Sequence, residues 1–258
     1  MINTKKDRKN LYMKLDRLNL IKKFKSLLNQ GYHLRMEDGK FEPNNPAMGE
    51  DAPWVYIQTV VEARCDVYHR VFFNELGYVP SYCRECYKVV ARPRNLIEQF
   101  DAYEFMKNMG VSCKLGIEKR PTTHNLYGCY FYNRGLDEGL ERYEEVRALV
   151  DEHLSKETPV ILKRACTEFE IGPTAFGPSD KWPDCTEEEI KMEEYILANF
   201  PRVGFGSPQP DHLTASVMQD WIHHAYRYGD ETYKEFTDGG PLFPPYITYH
   251  DKKTKRKK

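Results

Sequence analysis

Cys83 and Cys86 form a C-x2-C pair. Two thiolates at that spacing can grip one soft ion, because a tight turn points both sulfurs inward. A complete site needs more donors, and the chain offers two sets. If Cys113 starts a second strand and Cys166 lies late in a fourth, both meet the pair at one end of a sheet. Cys83, Cys86, Cys113 and Cys166 then make a four-thiolate site for zinc or a 4Fe-4S cluster. The rival set takes Cys65 and His69, which share a helix face at i, i+4 and suit structural zinc with the pair. A third reading has no metal, since a buried free cysteine packs as a small apolar residue. A thioredoxin-like role for C-R-E-C is disfavoured, because redox pairs follow a strand and open a helix whereas this one precedes a strand. Cys129 and Cys185 read as a core residue and a loop thiol.

Beside Cys166 stand Lys163, Arg164 and Glu168, candidate substrate clamps or proton carriers. Strand alternation adds a second group. With Val89, Cys113, Leu115 and Phe131 turned to a core, Lys88, Arg92, Lys114, Glu118, Tyr130 and Tyr132 share the other face. Such a cationic, aromatic platform suits a phosphate, a nucleotide or a stacked base. The plainer reading is a half-solvated sheet face, or one covered by the C-terminal lobe. The alternation leaves open whether Lys163 or the Arg164/Cys166/Glu168 set joins it.

The elements that must position these groups follow from periodicity and caps. Thr4 opens a helix with Leu11, Leu15, Leu18, Ile21 and Leu28 at near-helical spacing. Residues 37–53 are turn-rich and read as a loop. Apolar positions predict a helix from Trp54 to Leu76, although WVYIQTVV is also strand-like. Then come a strand at Tyr87–Arg92, a helix over 96–109 opened by Asn95 and Glu98, and strands over 111–118 and 126–132. A helix over 136–155 and a strand over 158–168 complete the series. The order βαββαβ is the ferredoxin-like plan, a four-stranded antiparallel sheet with two helices on one face. Thr186 with Glu189 opens a further helix, and Asp211 starts another through Trp221. The expected organisation is a helical N-terminal region (1–80), the α+β core (81–170), a helical C-terminal lobe (171–250) and a basic tail (251–258).

Composition excludes several classes. The 258 residues are 40% hydrophobic, 13% aromatic and 30% charged, which argues against wholesale disorder. No apolar run approaches the roughly 20 residues of a membrane span, and the N-terminus lacks an apolar signal core. Seven cysteines, an odd count, disfavour a secreted disulfide framework, so a cytoplasmic protein is expected. Residues 1–29 carry nine Lys/Arg against two Asp, and residues 251–258 carry six against one. With a net charge of −1, the stretch between them holds −13. The basic ends can therefore grip nucleic acid, while an acidic body speaks against a dedicated binding face. No GxSxG, HExxH, GxxxxGK[ST] or GxGxxG pattern occurs. His223 and His224 point about 100° apart on a helix and do not face one ion, and His124 sits in a basic loop.

The residues thus point to a metalloprotein acting on an anionic small molecule or nucleotide. The alternative is a non-catalytic, zinc-stabilised module for nucleic acid or protein.

Overall fold

The computed structural model describes residues 32–35, 40–43, 54–58, 64–119, 123–172, 174–199, 209–247 and 249. The expected N-terminal helix and the basic tail lie outside them. Strands β1 (Tyr32–Arg35) and β2 (Lys40–Pro43) pair as an antiparallel ribbon, so the stretch read as a loop over 37–53 contains a strand.

Among the described residues the main sheet has five strands, not four: β3 (Trp54–Gln58), β4 (Cys86–Ala91), β5 (Cys113–Ile117), β6 (Tyr127–Arg134) and β7 (Val160–Arg164). Their order is β3-β5-β6-β4-β7, and each neighbouring pair is antiparallel. The expected helix over 54–76 is corrected accordingly. Its first part, rich in aromatic and β-branched residues, adds to the edge of β5 as a strand. The helix α1 starts only at Cys65–Val67 and runs on as a π-helix over Tyr68–Leu76, ended by left-handed Gly77.

Helix α2 (Ser81–Arg84) precedes β4. Helix α3 (Leu96–Asn108) joins β4 to β5, and α4 (Leu136–His153) joins β6 to β7. Asn95 caps α3, its side chain accepting from the Glu98 backbone N–H at 2.9 Å. Such a cap stabilises a helix by about 1 kcal/mol. In α4, Gly139 lets the helix come close to the sheet: a Cβ there would lie 3.0 Å from Leu162 Cδ1 and 3.2 Å from Tyr87 Cβ.

Val89, Ala91, Cys113, Leu115, Cys129 and Phe131 are fully buried on one sheet face, against α3, α4 and α7 (Asp211–Tyr228). A second apolar cluster gathers Tyr68, Phe72, Cys83, Ala165, Phe169, Trp182 and Ile196. It draws on α1, α2 and α6 (Glu187–Asn199), where β4 begins and β7 ends. The capping box of α6 forms as expected, with Thr186 Oγ1 accepting from Glu189 N–H and Glu189 Oε2 from Thr186 N–H. No helix among the described residues is long and apolar enough to cross a membrane.

Candidate functional site

The site is organised by one backbone departure. The expected strand over 158–168 ends at Arg164, because Ala165 has φ 52° and leaves the extended region. Cys166 follows, and α5 (Thr167–Glu170) begins directly after it. A non-glycine residue in the left-handed region costs about 1–2 kcal/mol and persists only where its surroundings impose it. Here Ala165 is buried, and its N–H donates to the Cys86 carbonyl at 2.7 Å. This break interrupts the two-residue alternation. Cys166 thereby meets the face that carries Lys88, although Arg164, two residues earlier, pairs in register with Tyr87 on the other.

Lys88 Nζ lies 2.7 Å from Cys166 Sγ. His69, on the π-helical stretch, hydrogen-bonds the same sulfur and stacks on Phe169 with ring centroids 4.5 Å apart. Burial opposes ionisation of Cys166, but Lys88 and His69 outweigh it and bring the thiol down to about 6. The partner shifts accordingly. Burial disfavours the Lys88 ammonium, and the negative Cys166, with lesser help from Cys86 and Tyr132, holds its pKa well above the ordinary value. The pair is a buried ammonium–thiolate, with the Lys88 ammonium also 5.5 Å from the centre of the Tyr132 ring.

Three further thiols surround it. Cys65 occupies the first turn of α1, one turn before His69 on the same face; the residue is exposed, but its thiol is withdrawn from water. Cys83 is buried in the second apolar cluster, and Cys86 is half-buried at the start of β4. Loss of water raises all three thiols, Cys65 to about 11, and the negative Cys166 raises each further. Of the four sulfurs, Cys166 is therefore the one held towards the thiolate, and the other three are held towards the thiol.

The structure brings together Cys83, Cys86 and Cys166 of the first ligand set with Cys65 and His69 of the rival set. It does not bring Cys113. That residue pairs with Phe131 and is buried on the α3/α4 face, across the sheet from Lys88. Alternation, which turns Cys113 to the core, outweighs its nearness along the strand ends. Among the described residues, no group of three or more His, Cys, Asp or Glu side chains is placed to hold a metal ion.

The remaining candidates have partners of their own. Lys163 stands in register with Lys88 and donates to Thr167 Oγ1 (2.9 Å) and Glu170 Oε2 (3.0 Å). Arg164 donates to the carbonyls of Arg84 and Ser179, tying β7 to α2 and to the 3-10 turn Ser179–Lys181 before Trp182. Glu168 lies in α5, two residues past Cys166. The platform forms on the expected face, with Lys88 in register with Tyr132 and Lys114 with Tyr130. Lys114 Nζ lies 4.3 Å from the Trp54 ring centroid, 5.5 Å from that of Tyr56 and 5.8 Å from that of Tyr130. Arg92 donates to Tyr130 Oη (2.9 Å), which donates to Glu118 Oε2 (2.6 Å). These groups form a network with one another rather than an open row of cations.

Sequence reasoning named Lys88 as an anion contact and His69 as a metal ligand; it missed that both serve one sulfur. The C-x3-H spacing and the K-R-A-C run at the end of β7 were the available signals. The chain matches no protein-family model, no curated protein and no solved structure.

The ion pair links stability to pH. The pKa of Cys166 is lowered on folding, from the ordinary 9.0 to about 6. Its stabilisation is therefore fully present above pH 9 and is lost as pH falls towards 6. Lys88, raised on folding, keeps its contribution at and below its ordinary 10.5. The stability difference between the protein and Cys166→Ser should therefore grow steadily from pH 6 to pH 9, as read by urea unfolding. A flat difference would mean that the thiol is not ionised in the fold.

Proposed function

We propose that the protein is a cytoplasmic thiol enzyme in which the Cys166 thiolate attacks an electrophilic centre. The 2.7 Å contact between Lys88 Nζ and Cys166 Sγ carries this reading. A nucleophilic cysteine needs a thiolate, and a buried thiolate needs a fixed cation beside it. The strained strand–turn–helix passage at Ala165 supports it, since strain of this kind fixes a side chain in one direction and clusters at active sites. His69 holds the sulfur from the other element and is a general acid–base candidate. We read the scaffold as a ferredoxin-like unit of β4–β7 with α3 and α4, to which β3 adds a fifth strand. The test is alkylation of the reduced protein by iodoacetamide at pH 6.5, with peptide mass spectrometry. Cys166 should react first of the seven cysteines; labelling of exposed Cys65 ahead of Cys166 would overturn the proposal.

A second reading is metal binding, zinc or a 4Fe-4S cluster, supported by the nearness of Cys65, Cys83 and Cys86 to Cys166, which His69 also bonds. These donors suit a soft ion in type, although among the described residues no three or more of them are placed to hold one. A colourless protein with one equivalent of zinc, or a brown anaerobic preparation, favours this reading if both Cys65→Ser and Cys166→Ser abolish it. Metal-free protein that still alkylates at Cys166 favours the first.

A further inference from the structure

The two edges of the main sheet end differently. At β3 the edge carries the Gln209 side chain, which accepts from the Tyr56 N–H at 2.7 Å and donates to the Trp54 carbonyl at 3.5 Å. At β7 the edge is open. Ala165 N–H donates to the Cys86 carbonyl at 2.7 Å, and Arg92 N–H to the Pro159 carbonyl at 2.9 Å. Residues 159, 161, 163 and 165 therefore turn their backbone groups towards β4. By alternation Val160, Leu162 and Arg164 turn theirs away from the sheet, and among the described residues no strand pairs with them. We propose that this edge is a dimer interface: β7 of a second copy pairs with it antiparallel about a two-fold axis, and the two sheets become one. Such pairing is independent of the chemistry at Cys166.

A lone edge is ordinarily guarded by a charge or a proline. Here those devices point elsewhere. Pro159 occupies an inward position, Lys163 Nζ folds back onto Thr167 Oγ1 and Glu170 Oε2, and the Arg164 guanidinium is held by the Arg84 and Ser179 carbonyls. What flanks the edge is apolar. Ile161 is 45% exposed on the Lys88 face of the sheet, and on the other face Leu136 and Leu140 of α4 are 47% and 50% exposed. Their side of α4 is the one towards β7. Gly139, next to Leu140, sits against Leu162, and Arg147 on the same stripe donates to the Ser155 and Thr158 carbonyls in the turn before β7. His153 marks the opposite side of the helix, stacking on Phe105 of α3.

Charge selects a second copy as the occupant, and antiparallel as its direction. β7 is preceded by Glu157, exposed beside Arg94, and ends in Lys163 and Arg164. Antiparallel pairing about Ile161 and Leu162 brings Glu157 of each copy to the basic end of the other, twice by symmetry. Parallel pairing would instead set the two basic ends side by side. Because Gly139 rests on Leu162, the same axis brings Leu136 and Leu140 of the two α4 helices towards one another over one face of the joint. On the other face the two Ile161 side chains meet. One patch thus complements itself, as an isologous contact requires, and the outward N–H and C=O groups of Val160 and Leu162 gain partners in the added strand.

The experiment is analytical ultracentrifugation of the reduced full chain over about a hundredfold range of concentration, with hydrogen exchange at both ends of the range. The expected result is a shift with concentration from one chain of 30.4 kDa to two, and added protection in peptides covering β7 and the first half of α4. Ile161→Glu, at an exposed position, sets two carboxylates side by side across the axis. It should weaken the dimer about tenfold or more and leave the far-UV circular dichroism unchanged. Mixing Ile161→Glu with Ile161→Lys should restore a dimer, which a variant that merely misfolds cannot do. A single-chain mass at every concentration overturns the proposal. So does a dimer that both Ile161→Glu and Leu140→Glu leave intact, because its interface then lies elsewhere, and so does a failure of the mixed variants to pair.

Discussion

Replacing Lys88 by methionine is expected to move the pH midpoint of Cys166 alkylation from about 6 to above the ~8.5 of a free thiol. Lys88 supplies the nearest positive charge to the sulfur, 2.7 Å away, while burial pulls in the opposite sense. Without the ammonium, His69 alone still opposes desolvation, and the thiol becomes harder to ionise than in water. At pH 6.5 the thiolate population falls by roughly two orders of magnitude, and the higher intrinsic nucleophilicity of a more basic thiolate returns roughly one. Labelling at that pH should thus slow about tenfold. Methionine keeps the apolar stem and leaves no unpaired buried charge, so the fold should survive. Lys88→Arg tests the same point by restoring a cation and, with it, part of the labelling. An unchanged profile in Lys88→Met would show that Lys88 does not set the charge state of Cys166.

The second large effect concerns the scaffold and should leave the thiolate untouched. Trp221 is the largest fully buried side chain among the described residues, and its ring meets Phe100 edge-on at 5.6 Å between centroids. It holds α7 against α3 on the face opposite Lys88 and Cys166. Trp221→Ala removes the transfer energy of the ring and leaves a cavity that the sheet cannot fill, costing about 3–5 kcal/mol. For a chain of this size that lowers the melting temperature by about 6–20 °C. Tyr246→Ala is the control: at 96% exposure its loss should change stability by less than about 0.5 kcal/mol. Cys166 alkylation of folded Trp221→Ala below its transition should match the unmodified protein, because the second apolar cluster packs separately. Coupled loss of labelling and stability would mean that the two clusters unfold and act as one.

Much of the fold was legible in the residues. Asn95 and Glu98 placed the start of α3, the apolar stripe of Leu136, Leu140, Tyr143, Val146 and Val150 gave α4, and alternation sorted Lys88, Lys114, Tyr130 and Tyr132 onto one sheet face. These are local properties, since caps and periodicities depend on neighbours within a few positions. The edge strand β3 was not decided locally. WVYIQ fits a helix stripe and a strand equally, and pairing with β5, more than 50 positions on, selected the strand. The same limit applies to the site. The sequence determined that Cys83, Cys86 and Cys166 stand near strand ends, that Cys65 and His69 share one helix face, and that alternation turns Cys113, also a candidate ligand, towards a core. Only the tertiary structure put Lys88 and His69 on the Cys166 sulfur. The left-handed turn at Ala165 is imposed by burial and by the hydrogen bond to Cys86, nearly 80 positions earlier, and no alternation rule anticipates a residue that leaves the strand.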